Sequence, residues 1–173
     1  MGEAGQPKGL RHSPPVLRGI STILAAFAAV FVVFAVVPAS FAAHRATTGV
    51  SVLQAVNAAR KAHGLRPLQL DTRLMQAAQA HSSDMLRHDY FAHGNFSGRM
   101  AAFHVSLTTA GENLAWGSGP YGQAGEVVQE WLASPEHRAN LLAAGFSRIG
   151  IGLARGTFLG TGDATVVTAD FAG

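Results

Sequence analysis

The sequence predicts an α+β domain of packed layers. Apolar residues recur at helical spacing in several segments between residues 50 and 144, and two alternating strand patterns follow at 149–153 and 166–171. No strand-helix-strand rhythm of the kind that builds a parallel doubly wound sheet runs through the chain.

The first helix is predicted from Leu53, Val56 and Ala59, with Gly64 as its C-terminal stop. Leu65–Leu70 is expected to be extended. Asp71 is a good N-cap for a second helix, whose stripe Leu74, Ala78, His81 and Met85 runs until near His88. From Asp89 to Pro120 glycines and little periodicity predict a long, mostly irregular region with one short strand near Asn113–Trp116, the kind of segment that often builds a site. Ala124, Val127, Val128 and Trp131 mark a third helix. Ser134-Pro135 reads as N-cap and first-turn proline of a short fourth helix running to about Ala144. Ile149, Ile151 and Leu153 alternate with Gly150 and Gly152, and Val167, Ala169 and Phe171 with Val166, Thr168 and Asp170. A glycine-bearing connection is expected to join them as a hairpin.

Ahead of these elements stands a targeting pattern. Lys8, Arg11 and Arg18 precede an uncharged apolar stretch that includes Ile23–Val37, and small residues in Ala39-Ser40-Phe41-Ala42-Ala43 suggest cleavage after Ala42. Residues 1–43 are therefore read as a signal peptide or an N-terminal membrane anchor, since the apolar stretch is longer than a usual signal core. Residues 44–49 are read as a polar link and 50–173 as the domain. Either reading sends the domain across the cytoplasmic membrane, to be secreted or held at the cell envelope. Membrane contact arises only through the N-terminal segment if it is uncleaved.

The chain is basic, with 13 Lys and Arg against 10 Asp and Glu, but three of the cations sit in the leader and no basic stripe forms downstream. Nucleic-acid binding is thereby excluded as an expectation. With no cysteine, the domain must rest on apolar burial and hydrogen bonds, without disulfides.

Histidine is the side chain to weigh for chemistry. His81, on an apolar stripe, fits a buried ring bonded to backbone more readily than a ligand, and His88 fits a surface pair with Asp84. His44, His63 and His104 have no local context that points to a site. His93 follows Tyr90 and Phe91, aromatics expected to pack down and leave its imidazole at a pocket edge. His137 falls at the third position of the fourth helix, where the helix dipole favours a neutral ring that can accept a proton or bind a metal; capping the turn is the alternative. Glu112, in Gly111-Glu112-Asn113, is either a surface acid or a carboxylate that needs a partner if buried.

Gly111-Glu112-Asn113-Leu114-Ala115-Trp116-Gly117 and Trp131-Leu132-Ala133-Ser134-Pro135-Glu136-His137-Arg138-Ala139-Asn140 resemble the CAP superfamily, the SCP or cysteine-rich secretory protein, antigen 5 and pathogenesis-related 1 domain, in its bacterial branch. Further blocks are Asn57–Arg60, Leu65–Leu68, His81–Met85, Phe91–His93, Ile149–Gly152 and Asp170-Phe171. The resemblance implies an α-β-α sandwich with helices flanking a small antiparallel sheet. It also implies a cleft whose two histidines and two acids can hold a divalent cation. Position by position, these are His93, Glu112 and His137, with Ser134 standing where the second acid would be. A two-histidine, one-acid set suits zinc better than magnesium. Two functions follow as expectations. One is an extracellular binding module for a lipid, a glycan or a cell-wall fragment. The other is a metal-dependent hydrolase, peptidase- or esterase-like, with Glu112 handling protons. A scaffold at the envelope would leave no trace in the sequence.

Overall fold

The computed structural model describes residues 39–173, with side chains from Gly49 onward, so most of the leader lies outside the described residues. The elements run α1 (Ala39–Ala62), β1 (Gln69–Leu70), α2 (Thr72–His88), α3 (Phe96–Ala102), β2 (Ala110–Ser118), α4 (Ala124–Ala133), α5 (Pro135–Leu141), β3 (Arg148–Phe158) and β4 (Thr161–Ala172). The expected link at 44–49 is helical, part of α1. Among the described residues no helix is long and apolar enough to cross a membrane.

Four strands form one sheet in the order β1-β3-β4-β2. The sheet is mixed, because β1 pairs parallel with β3 while the other pairings are antiparallel. β3 and β4 form the expected hairpin, turning at Leu159 and Gly160. Both carry positive φ, the geometry that matches strand twist in a two-residue turn.

Both faces are covered. Ile149, Ile151, Leu153, Val167, Ala169 and Phe171 pack with Val52, Val56, Val127, Val128 and Trp131, which puts α1 and α4 on one face. The alternate residues face α2 and α3: Leu114, Ala164 and Val166 cluster with Met85 and Phe158, and Ala172 with Leu74, Ala77 and Met100. This is the α-β-α sandwich.

Helix α2 begins as predicted, the Asp71 carboxylate accepting from the backbone N–H groups of Arg73 and Leu74. It lies unusually close to β3. A Cβ on Gly150 would collide with the backbone of Leu74 and Met75, and one on Gly152 with that of Ala78 and Gln79. Ser82 Oγ donates to the Gly152 carbonyl at 3.1 Å. The Gln79 amide bonds both Leu153 N–H and Leu153 C=O, and so covers the open edge of β3 beyond its short pairing with β1.

The stripe of α1 is Val52, Val56 and Arg60, and the arginine is only 1% exposed. Its guanidinium donates to the carbonyls of Arg66 (2.9 Å), Leu141 (2.8 Å), Ala143 (3.0 Å) and Phe146 (3.3 Å). Asn57 exchanges two hydrogen bonds with the Leu68 backbone. Together these clamp the loop after α1 and the loop before β3. Lysine keeps the charge but cannot fork to four acceptors, so Arg60→Lys is expected to destabilise by about 2 kcal/mol, read as a lowered denaturant midpoint at unchanged slope.

The region 89–120 is more ordered than its sequence suggests. Asn95 caps α3 by accepting from Gly98 N–H, and β2 has nine residues in place of a short strand. Helix α5 stops at Leu141, earlier than Ala144, and Ser134 occupies its cap position without a side-chain hydrogen bond.

Candidate functional site

Strand β2 is the sheet edge nearest the site, and it is pinned from outside by α5. Asn113 donates to His137 C=O (2.9 Å), Asn140 donates to Glu112 C=O (3.2 Å) and to the Asn113 side-chain oxygen (2.9 Å), and Trp131 Nε1 donates to Leu114 C=O (3.0 Å). Gly111 leaves room for this approach, since a Cβ there would strike Asn140. The register fixes what comes next: Glu112 pairs with Asp170, so both carboxyl groups emerge side by side on the face toward α2 and α3.

Glu112 is the hub. His93 Nδ1 lies 2.7 Å from Glu112 Oε1, and Arg99 Nη2 donates to Glu112 Oε2. His81 Nε2 is 3.9 Å from the same Oε2 and 3.0 Å from Ala92 C=O. The Glu112 side chain is 4% exposed while that of His93 is 50% exposed, so a buried acid orients an imidazole at the mouth. Tyr90 and Phe91 pack down as expected. Phe91 meets Phe158 edge to face, and Tyr90 donates to Asp84 at 2.6 Å. When the His93 ring is neutral and gives Nδ1–H to Glu112, its Nε2 is left as an acceptor.

The predicted residues separate in part. His93 and Glu112 are in direct contact, and His137 is near enough that the charge of His93 acts on it. The two imidazoles come from opposite layers, His93 from the loop after α2 and His137 from α5. Ser134 sits half-buried at the junction of α4 and α5. His81 is the buried ring bonded to backbone that its place on the stripe suggested, and His88 pairs with Asp84 at 2.9 Å.

Burial lowers the pKa of His137, the charge of His93 lowers it further, and Glu136 opposes them. The neutral ring expected from the helix dipole is thus favoured chiefly by desolvation. His81 is lowered by burial and then by Arg99.

Two functional residues escaped the sequence reading, Arg99 and Asp170. Asp170 is fully buried, with both oxygens lacking a hydrogen-bond partner and Oδ1 4.0 Å from Arg99 Nη2. Burial and then the charge of Glu112 push its pKa up to about 8, against the opposing pull of Arg99. The folded state therefore keeps a proton that the unfolded chain releases near its ordinary value of 3.8. The stability this adds is complete below that value and is lost as pH rises through about 8. The two lowered histidines act with the opposite sign, favouring the fold as pH rises through their ordinary range. Asp170→Asn is expected to flatten the fall in denaturant midpoint between about pH 4 and about pH 8, relative to the unsubstituted protein.

The set assigned to a divalent cation does not fit one as it stands. One oxygen of Glu112 is held by His93 and the other by a guanidinium, and among the described residues no three His, Cys, Asp or Glu side chains are grouped to hold a metal ion. What the arrangement offers is a polar mouth of oriented donors and acceptors. A groove of about 580 Å³ adjoins it, lined by His81, Asp84, Arg87, Tyr90, Asn95 and Arg99 among others.

Comparison with known proteins places this geometry in context. The family model "CAP: Cysteine-rich secretory protein family" matches residues 53–171. The YkwD protein of Bacillus subtilis (strain 168) is 41% identical over 106 residues, 58% of this chain and 40% of YkwD. Among solved structures, an extracellular protein containing an SCP domain from Bacillus anthracis is similar at 27% identity and TM-score 0.65, covering 74% of this chain and 41% of that one. An outer surface protein of Borrelia burgdorferi shares the fold at 23% identity and TM-score 0.56, over 70% of this chain and 90% of that one. This chain thus spans about two fifths of the length of YkwD and of the B. anthracis protein.

Proposed function

This chain belongs to the CAP, or cysteine-rich secretory protein, family, and from that premise we propose that it is an exported binding module whose cleft takes a polar extracellular ligand, a glycan or cell-wall fragment. The observation that carries this reading is the Glu112–His93 contact at 2.7 Å, a buried acid holding a half-exposed imidazole in one orientation. An oriented donor–acceptor pair at a mouth selects hydrogen-bonding ligands, because the ordering is already present before binding. His81 and Arg99 belong both to the Glu112 network and to the adjoining groove, so a ligand longer than one sugar or residue has a polar track to follow. That lining disfavours a lipid tail, which needs apolar walls. Export is supported by the basic-then-apolar order of residues 1–43 and by the extracellular and outer-surface descriptions of the two structural neighbours.

Cosedimentation with purified cell-wall sacculi and, in parallel, with phospholipid vesicles tests the reading. The protein should pellet with sacculi, and His93→Ala should weaken that by roughly tenfold or more, the loss of one oriented charge-assisted contact. Binding to vesicles alone, or undiminished binding by His93→Ala, would overturn it. N-terminal sequencing of protein recovered from culture medium checks export, with a start after Ala42 expected if the leader is cut.

A second reading, hydrolysis, is favoured by the same contact, since a carboxylate on Nδ1 leaves Nε2 of His93 free to accept a proton from water or a hydroxyl. Its signature would be soluble products released from sacculi, or from peptide and ester probes, in proportion to time, and abolished in His93→Ala. Binding without release separates the two readings.

A further inference from the structure

We propose that Arg99 is the resident cation of this cleft, occupying the Glu112 carboxylate that the family resemblance would give to a divalent metal ion and so keeping such an ion out. The guanidinium meets the Glu112 carboxylate directly and lies 4.0 Å from Asp170, so one side chain serves the two carboxyl groups that strand register has brought together. A dication entering beside Glu112 would have to displace this charge or sit against it. Repulsion between like charges a few ångströms apart in protein surroundings is large.

Arg99 is also poorly placed to leave. Its side chain is 10% exposed, Nη1 donates to His93 C=O at 3.3 Å, and the guanidinium carbon lies 5.5 Å from the Phe96 ring centroid. Its Nε is buried and has no hydrogen-bond partner. Helix α3, from which it projects, is capped by Asn95 at one end and anchored in the core by Met100.

The donor set that remains with Arg99 in place is short. The Nδ1 of His93 is engaged by Glu112, and Ser134 supplies no carboxylate where the family pattern has an acid. His93 Nε2 and the His137 ring are two ligands, fewer than the three protein ligands usual even in an open zinc site. Withdrawing the guanidinium would instead release one Glu112 oxygen, and that carboxylate, with both imidazoles turned toward it, would supply the third protein ligand of an open zinc site.

The test uses the full chain and counts metal. Unsubstituted protein, Arg99→Lys, Arg99→Met and the double variant Arg99→Met with Glu112→Gln are equilibrated with zinc and then, separately, with manganese. Bound metal is measured by plasma mass spectrometry and affinity by calorimetry, with circular dichroism as the check on folding. Unsubstituted protein and Arg99→Lys should retain almost none. Arg99→Met should bind roughly one equivalent, at least about a hundredfold tighter, through the unmasked Glu112 carboxylate, and the double variant should lose it. One equivalent of zinc on the unsubstituted protein, lost in His93→Ala, would overturn the proposal. So would a folded Arg99→Met that gains no metal. If Arg99→Met does not fold, the unsubstituted protein and Arg99→Lys decide alone, with zinc retention by either counting against the proposal and its absence from both supporting it. None of these outcomes depends on whether the cleft binds cell wall.

Discussion

Gly152→Ala is expected to lower the melting temperature by about 10 °C, corresponding to at least about 3 kcal/mol of lost stability, because the new methyl would be driven into main-chain atoms of α2. The obstacle is the backbone of Ala78 and Gln79, which cannot rotate away as a side chain can. Relief requires α2 to lift off the sheet. That would stretch the Ser82–Gly152 bond and the Gln79–Leu153 pair, and disturb the packing of Leu74 and Ala77. Gly156→Ala is the control. There the nearest atoms belong to the Leu86 side chain at 3.3–3.7 Å, and the change should stay within about 1 kcal/mol. Thermal melts of the two variants by circular dichroism should differ severalfold in shift; equal shifts would mean that the close approach of α2 is unimportant.

Glu112→Gln is expected to abolish ligand binding and to cost about 3 kcal/mol, as removing one partner of a buried ion pair does. Glutamine retains the shape of the side chain but removes the charge that holds Arg99 and fixes the His93 tautomer. Asp170 moderates the loss, since its Oδ1 is 4.0 Å from Arg99 and it ionises more readily once the competing charge of Glu112 has gone. A shallower pH dependence should follow. In the unsubstituted protein the Asp170 contribution weakens as pH rises. In Glu112→Gln it should weaken less, because burial still holds the pKa of Asp170 up but the charge of Glu112 no longer adds to it. Denaturant midpoints across pH for both proteins read this directly; parallel curves would refute the coupling of the two carboxyl groups.

Sequence patterns revealed α2 almost entirely, since an aspartate cap and a four-residue spacing of buried side chains act locally. The β3–β4 hairpin was legible for the same reason. Helix α3 was not, although Asn95 and the spacing Phe96, Met100, Phe103 carry a faint signal: seven residues make two turns, too short for periodicity to stand out among glycines. Strand β2 was legible only in its middle, at Asn113–Trp116, because Glu112 interrupts its apolar run and both sides of it are covered, leaving no solvent face to set an alternation. The site divided along the same line. His93, Glu112 and His137 could be picked out by type and by family resemblance. Arg99 finds its carboxylate 13 residues away through a helix that the pattern missed, and Asp170 through strand register, which no local feature reports.

The order of strands has a consequence for how the molecule comes into being. Strand β4 lies between β2 and β3 and follows every other element in the chain, so β2 has no partner in the sheet, and β3 only its short pairing with β1, until β4 has been made. A polypeptide emerging from a ribosome, or fed end-first through a narrow channel, would hold its earlier segments without a finished core until that strand arrived. Premature closure is thereby avoided by topology alone, a property that would suit the export proposed above.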